Sequence, residues 1–293
     1  SGLGSDDLCI DALLGIGATR APQGRMADWI AALNASTASV LAVDVPSGLN
    51  ADTGESTSKS IAGNDHFAMG ECQIRAENTL TLLGCKPGLF TSQGRDAAGT
   101  VWFDDLGVTD LTERPCARLN AAPPLTHRLH ASHKGSHGDV AVIGGEGLGA
   151  RGMGMTGAAL LAASGALHGG SGRVLVSLLD GGAMTLDPVQ PEWMFRTFEA
   201  LDLRKLTVVC GCGGGEAVRS VLPRVLSQSL QLVLDADALN AIATDSALRT
   251  LLQQRGVRGR ATVLTPHPLE AARLLGTTAS AVQTDRLAAA RQL

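Results

Sequence analysis

Tyrosine is absent from the sequence, and aromatic residues make up only 3% of it. Nucleic-acid recognition draws on basic patches and stacking rings. The net charge is -4 and no long basic run occurs, so no nucleic-acid partner is expected. No apolar run approaches the ~18 residues of a spanning helix, so no membrane partner is expected either. Nothing at the start reads as a signal peptide. Cysteine is sparse: Cys9, Cys72, Cys85, Cys116, Cys210 and Cys212 include no CxxC pair and no dense framework. Reduced thiols in a cytoplasmic protein are the simplest reading.

What is present suits a globular protein with a real core, at 44% hydrophobic and 18% charged residues. With so few rings, Ala, Leu, Val and Gly must do most of the packing. The 293 residues leave room for two domains, at about 100–200 residues each. Both ends look cut. The chain starts at Ser1, soon enters strand-like sequence, and stops at Leu293 inside a helix that begins near Ala279. A fragment of a longer protein is the expectation.

One stretch organises the rest, GDVAVIGGEGLGARGMGMTGAALLAASGALHGGSGRVLV from Gly138 to Val176. It reads as a strand over Asp139 to Ile143, a glycine-rich turn over Gly144 to Gly157, a helix over Ala158 to Ala166, and a strand over Arg173 to Ser177. That is one βαβ unit, whose parallel strands need a crossover helix. Free N–H groups at a helix start favour anions, so a phosphorylated ligand is one reading. A tight turn between closely packed small residues is the other, since lone glycine patterns are weak motifs.

The same alternation runs through both halves. Leu8 to Leu14 is a strand carrying Asp11, followed by the loop GIGATRAP. Met26 to Leu33 has helical periodicity, and Ser39 to Val45 is a strand ending in DVPSGLN. Residues 52 to 66 read as a polar loop. Strands follow over Asn78 to Leu83 and Gly99 to Phe103. Thr109 to Ala131 loses periodicity and holds Pro115, Pro123 and Pro124, as a linker does. Beyond it, strands are expected over Leu206 to Cys210, Leu230 to Leu234 and Ala261 to Leu264. Helices are expected over Ala217 to Leu226 and Ala241 to Gln254, and Pro188 to Thr197 is irregular. The resulting fold class is α/β: two doubly wound three-layer domains, with sites beyond the carboxyl ends of the strands. The divisions expected are 1–112, a linker over 113–131, and 132–293.

Several polar groups lie at or near the ends of strands. Asp11 and Asp44, with Ser47 close by, suit a hard cation or acid/base work. A turn cap at Asp44 is the plain alternative. His127, His130, His133 and His137 are clustered, but no acid or cysteine completes a clean zinc set. Lys134 within HKGSHG could meet a phosphate, although a solvated loop lysine is commoner. Cys210 and Cys212 read as structural thiols. Of Asp235 and Asp237, one could order a polar site and the other cap the helix at Ala238. His267 is held between Pro266 and Pro268, which makes it a better ligand candidate than most lone histidines.

Together these motifs resemble one family. Residues 11–49, DALLGIGATRAP through VDVPSGL, resemble the C-terminal part of the NAD(P)HX epimerase domain, as do TLTLLGCKPGLFT and GRDAAGTVWFDDLG. Residues 132–293 resemble the start of the ribokinase-like, ADP/ATP-dependent NAD(P)HX dehydratase domain. The motifs there are SHKGSHGDVAVIGG, MTGAALLAASGAL, VVCGCGG, LVLDADALN and VLTPHPLEAARLLG. In this order the two domains resemble the bifunctional NAD(P)H-hydrate repair enzymes.

The resemblance implies metabolite repair. One half interconverts the R and S hydrates of NAD(P)H, and the other dehydrates the S form at the expense of ADP or ATP, with Mg2+ allowed beside it. It implies that Gly15, Ile16, Gly17, Ala18, Thr19, Arg20 and Ala21 hold the phosphates of the hydrate through backbone amides. Asp44 would contact the hydrated ring and transfer a proton, and Asp11 and Ser47 would coordinate K+. Ala158, Gly213 and His267 would line the second hydrate pocket. A homo-oligomer is expected.

The sequence also departs from the family pattern. The asparagine-glycine loop of the epimerase, the lysine-glycine segment of the dehydratase and its GxGD motif are not found. Cys212 stands where proline is favoured, Leu269 stands where glycine is usual, and residues 55–76 look long. Both reactions are therefore in question for the residues at hand. A small-molecule kinase on the same fold and a non-catalytic nucleotide-binding protein are the alternatives. A plain dinucleotide dehydrogenase is weaker, because no acid follows a second strand at the usual ~20-residue distance.

Overall fold

The computed structural model describes residues 2–57, 72–108, 114–123 and 127–293. Contacts divide the chain into two units, Ser1–Pro123 with Gln283–Gln292, and Pro124–Val282 with Leu293.

The first unit runs β1 (Leu8–Asp11), α1 (Arg25–Ala35), β2 (Ser39–Val43), β3 (Asn78–Leu82), α2 (Gly94–Ala97) and β4 (Thr100–Asp104). The strands form one parallel sheet in the order β1-β2-β3-β4. Alternate residues of β2 and β3 are buried, as period-2 side-chain placement dictates. Ile30 of α1 packs with Val40 and Ala42 of β2 and with Ile74 and Ala76. A second cluster, Val45, Leu49, Leu89 and Ala98, lies under the loops that follow β2 and β3. Each fully buried Val or Leu contributes roughly 1.5–3 kcal/mol of transfer free energy, so burial of Val45 and Leu49 anchors the loop after β2.

The second unit runs β5 (Asp139–Gly144), α3 (Leu148–Arg151), α4 (Thr156–His168), β6 (Arg173–Leu178), β7 (Met194–Phe195), β8 (Thr207–Cys210), α5 (Val218–Gln228), β9 (Gln231–Leu234), α6 (Ala236–Thr244), α7 (Ser246–Val257), β10 (Thr262–Leu264) and α8 (Pro268–Leu275). Two helices close the chain, α9 (Ala279–Thr284) and α10 (Arg286–Gln292). The sheet is parallel, in the order β10-β9-β8-β5-β6-β7. Ala159 and Ala163 of α4 pack with Val142, Val174 and Val176 on one face. Leu222 of α5, Ile242 of α6 and Leu248 of α7 pack with Ala141, Ile143, Val208 and Leu232 on the other. The order runs one way from β5 to β6 and the other way from β8 to β10. The topological switch therefore lies between β5 and β8, where open α/β sheets bind ligands.

The two-domain parallel α/β class read from the sequence is the one found. Three local readings change. The helix expected over Ala241 to Gln254 is two helices broken at Asp245, whose carboxylate caps α7 through the amides of Ala247 (2.8 Å) and Leu248 (3.2 Å). The glycine turn after β5 contains the short α3. The irregular 188–197 stretch contributes the edge strand β7. Residues 58–66 of the polar loop lie outside the described residues.

Candidate functional site

In the first unit the polar groups gather beyond the carboxyl ends of β1, β2 and β3. Asp11 is the last residue of β1, and both it and Ser47 are 1% exposed. A buried carboxylate needs donors, and Ser47 supplies two of them. Its amide donates to Oδ2 (2.7 Å) and its hydroxyl to Oδ1 (2.6 Å), while the Leu13 amide reaches Oδ1 at 3.3 Å. The Ser47 oxygen also accepts from the Leu14 amide (2.9 Å), which ties down the start of the Gly15 loop. Asp11 and Ser47 are thus in direct contact, 36 positions apart in the chain.

The Gly15–Ala21 loop curls around a hollow of about 440 Å3 lined by Gly17, Thr19, Arg20, Ala21 and Met26. A Cβ on Gly15 or Gly17 would meet nothing within 4 Å. Internal packing therefore does not require glycine at either position, and room is left for something to approach the backbone. Ile16 is 63% exposed at the rim.

Asp44 follows β2 and takes a left-handed backbone, with φ 70°. A residue other than glycine holds that conformation only where its surroundings over-determine it. Its amide donates to Leu80 O (2.7 Å). Its Oδ1 accepts from the Leu82 amide (3.1 Å), from Thr81 Oγ1 (3.4 Å) and from Lys86 Nζ, with which it forms an ion pair. Asp44 therefore leans toward the end of β3, and no hydrogen bond joins it to Asp11 or Ser47 among the described residues. Lys86 was not singled out from the sequence. Its one signal is a lysine in the turn that leaves β3, directly before Pro87.

In the second unit the loops after β5 and β8 are bonded across the switch point. Gly145 N donates to Cys212 O (3.0 Å), and Glu146 N to Gly213 O (2.6 Å). Gly213 has φ 59°, and a Cβ there would sit 2.4 Å from Met155 O and 3.0 Å from the Ala158 Cβ. Ala158 and Gly213 are thus in contact, and only glycine fits at 213. Asp235, beyond β9, accepts from the Cys212 thiol (3.3 Å) and the Thr265 hydroxyl (2.7 Å), so it links the loops after β8 and β10. Burial first, and then the Asp235 charge, push the Cys212 thiol up to about 12. Neither Asp235 nor Asp237 caps α6 with its side chain: Asp237 accepts from the Gly215 amide (2.8 Å).

His267 is the N-cap of α8. Its Nδ1 accepts from the Glu270 amide (3.1 Å), and Glu270 Oε2 accepts in return from the His267 amide (3.0 Å). This reciprocal capping box fixes the ring, whose side chain stays 59% exposed. Glu146, also missed from the sequence, is 1% exposed. Its Oε1 accepts from the amides of Glu216 (3.1 Å) and Ala217 (3.4 Å). The amides of residues 215–217 are therefore occupied by carboxylates, and this glycine loop is no phosphate cradle.

The histidine cluster is engaged locally. His133 Nδ1 accepts from the Gly135 amide (3.2 Å), and His137 Nε2 lies 3.1 Å from Ser132 Oγ. No group of three or more His, Cys, Asp or Glu side chains that could hold a metal occurs among the described residues. Another hollow, of about 540 Å3 beyond β6 and β7, is lined by Leu178, Asp180, Met184, Arg196 and Phe198 and touches none of the candidate residues. No helix of the described residues is long and apolar enough to cross a membrane.

Fold and site define a protein of two parallel α/β units, each with its polar side chains massed beyond the strand ends. Residues 127–293 match the family described as NAD(P)H-hydrate dehydratase, and residues 3–88 match the YjeF-related protein N-terminus. The bifunctional NAD(P)H-hydrate repair enzyme Nnr of Escherichia coli is 33% identical over 302 residues, covering 99% of this chain and 53% of that protein. The ADP-dependent (S)-NAD(P)H-hydrate dehydratase of Neisseria meningitidis is 42% identical over 173 residues, covering 57% of this chain and 55% of that protein. The solved ADP/ATP-dependent NAD(P)H-hydrate dehydratase from Bacillus subtilis, co-crystallized with ATP/Mg2+, shares 26% identity over 55% of this chain and 56% of that one, at a TM-score of 0.42. The chain belongs to the NAD(P)H-hydrate dehydratase family, with a YjeF-related segment ahead of that domain. It spans about half the length of the curated relatives it matches.

Proposed function

We propose that this chain serves nicotinamide-nucleotide repair. Its first unit interconverts the R and S hydrates of NAD(P)H, and its second removes water from the S hydrate while ADP or ATP, with Mg2+, is consumed. The observation that carries this reading is the gathering of both candidate clusters beyond parallel strand ends. The two-family order and the E. coli relative named as bifunctional support it.

In the first unit, Gly15 to Ala21 receive the phosphates on open backbone, as anion-binding loops do. Asp44 transfers the proton during epimerisation. Asp11 and Ser47 present buried oxygens with no cationic partner among the described residues, a set that fits a hard monovalent cation. They would hold K+, which supplies positive charge beside the anionic substrate. In the second unit Ala158 and Gly213, which touch, and the exposed His267 are assigned to the hydrate pocket. The nucleotide needs residues beyond these, since the amides of the 215–217 loop are engaged internally. We further propose a cytoplasmic homo-oligomer acting on a free coenzyme.

The test uses the natural protein that carries this sequence. Supplied with hydrated NADPH, K+, Mg2+ and ADP or ATP, it should restore the absorbance of NADPH, and R hydrate alone should serve once both units act. Hydrate left unchanged with either nucleotide would overturn the reading.

A further inference from the structure

We infer that Lys86 is a positioning residue for Asp44, fixing one carboxylate oxygen so that the other, Oδ2, is the oxygen that exchanges protons with substrate. This deepens the reading above and rests on it.

The carboxylate is bonded asymmetrically. Three donors converge on Oδ1: the Leu82 amide, Thr81 Oγ1 and Lys86 Nζ. Among the described residues none bonds Oδ2. An aspartate χ2 is broad and nearly two-fold, so a carboxylate held loosely swaps its oxygens. Of the three donors, the Thr81 contact is long at 3.4 Å and the Leu82 amide is neutral at 3.1 Å. Lys86 supplies the charged bond, and charge-assisted bonds are roughly twice as strong as neutral ones.

Lys86 is itself anchored. Its Nζ also donates to Leu82 O at 2.6 Å, and its side chain is 17% exposed against 22% for Asp44. Its backbone is extended, leading into Pro87 at the start of a 3-10 turn over Pro87–Leu89. Both ends of the lysine are therefore held, unlike the solvated pairs whose worth is near zero. The left-handed backbone at Asp44 fits the same account, since strain of this kind persists where the surroundings impose it.

The plain alternative is a strut joining the ends of β2 and β3. Turnover of R into S hydrate separates the two when wild type, K86M, K86R and D44N are assayed with the folded fraction counted by circular dichroism. As a positioning residue, Lys86 gives K86M a kcat about 30–100-fold lower per folded molecule with KM within about threefold, the pattern of misplaced chemistry. K86R, which keeps a charged donor, recovers part of that loss. A strut predicts a lower melting temperature with kcat per folded molecule intact, and that result, or equal losses in K86M and K86R, overturns the inference. Full activity in D44N, or none in wild type, instead overturns the reading on which it rests.

Discussion

A Cβ placed on Gly215 would lie 2.1 Å from Oε2 of Glu146, although the two residues are separated by three β-strands in sequence. The buried carboxylate fills the space that a side chain at 215 would need. Gly215 also has φ 53°, a left-handed conformation that costs an alanine roughly 1–2 kcal/mol. Displacing a buried, hydrogen-bonded carboxylate adds to that. G215A should lose about 2–4 kcal/mol in urea denaturation, and the loss should appear in the second unit.

Arg255 is 2% exposed and bonded mainly by carbonyls. It donates to Leu226 O (2.9 Å), Ser229 O (2.6 Å), Leu230 O (3.4 Å) and Ala261 O (3.3 Å), and to Thr262 Oγ1 (2.9 Å). Burial pushes the guanidinium below its usual range, yet the carbonyls at the end of α5 favour the cation. A lysine cannot reproduce this fork. R255K should cost about 2–3 kcal/mol and R255A about 3–5 kcal/mol, as unmet carbonyls and lost packing add. Equilibrium denaturation measures both.

The thiols give a dependence on pH. Burial holds the Cys212 thiol up at about 12, and Cys210 is pushed up as well, while an unfolded thiol ionises near 9.0. Between those values the unfolded state has lost protons that the folded state keeps. Stability should thus be full below about pH 9 and fall as pH rises toward 12. The C212S variant should show a shallower alkaline decline. At pH 8 a thiol reagent should label the exposed Cys85 and Cys116 quickly, the half-buried Cys212 slowly and the buried Cys210 only on unfolding.

If Asp11 and Ser47 hold K+, the ion binds the folded chain and stabilises it by mass action. The melting temperature should be higher in potassium chloride than in choline chloride at equal ionic strength. S47A should abolish the difference and, by leaving Asp11 short of a donor (2.6 Å in the native pair), lower stability by about 1–3 kcal/mol. An unchanged difference in S47A would remove Ser47 from the cation site.

The strands were legible because apolar residues in short runs between glycine and proline mark parallel strands. The placement of Asp11 and Asp44 at strand ends was legible from the apolar runs that lead into them, and Asp11 and Ser47 do meet. Lys86 was not, because its partner lies 42 positions away and a lysine before a proline reads as a turn. Glu146 looked like part of a glycine-rich turn, and only the crossing of the β8 loop shows why Gly215 faces it. The break between α6 and α7 was hidden because apolar periodicity continues through Asp245, whose capping bonds appear only in three dimensions.

The central claim is that both units present strand-end loops to the same hydrated coenzyme. A crystal structure of the protein soaked with a hydrated nicotinamide nucleotide tests it most directly. Density is expected against Asp44 and the Gly15–Ala21 loop in the first unit, and against Ala158, Gly213 and His267 in the second. Density confined to the hollow beyond β6 and β7, or away from both clusters, would contradict it.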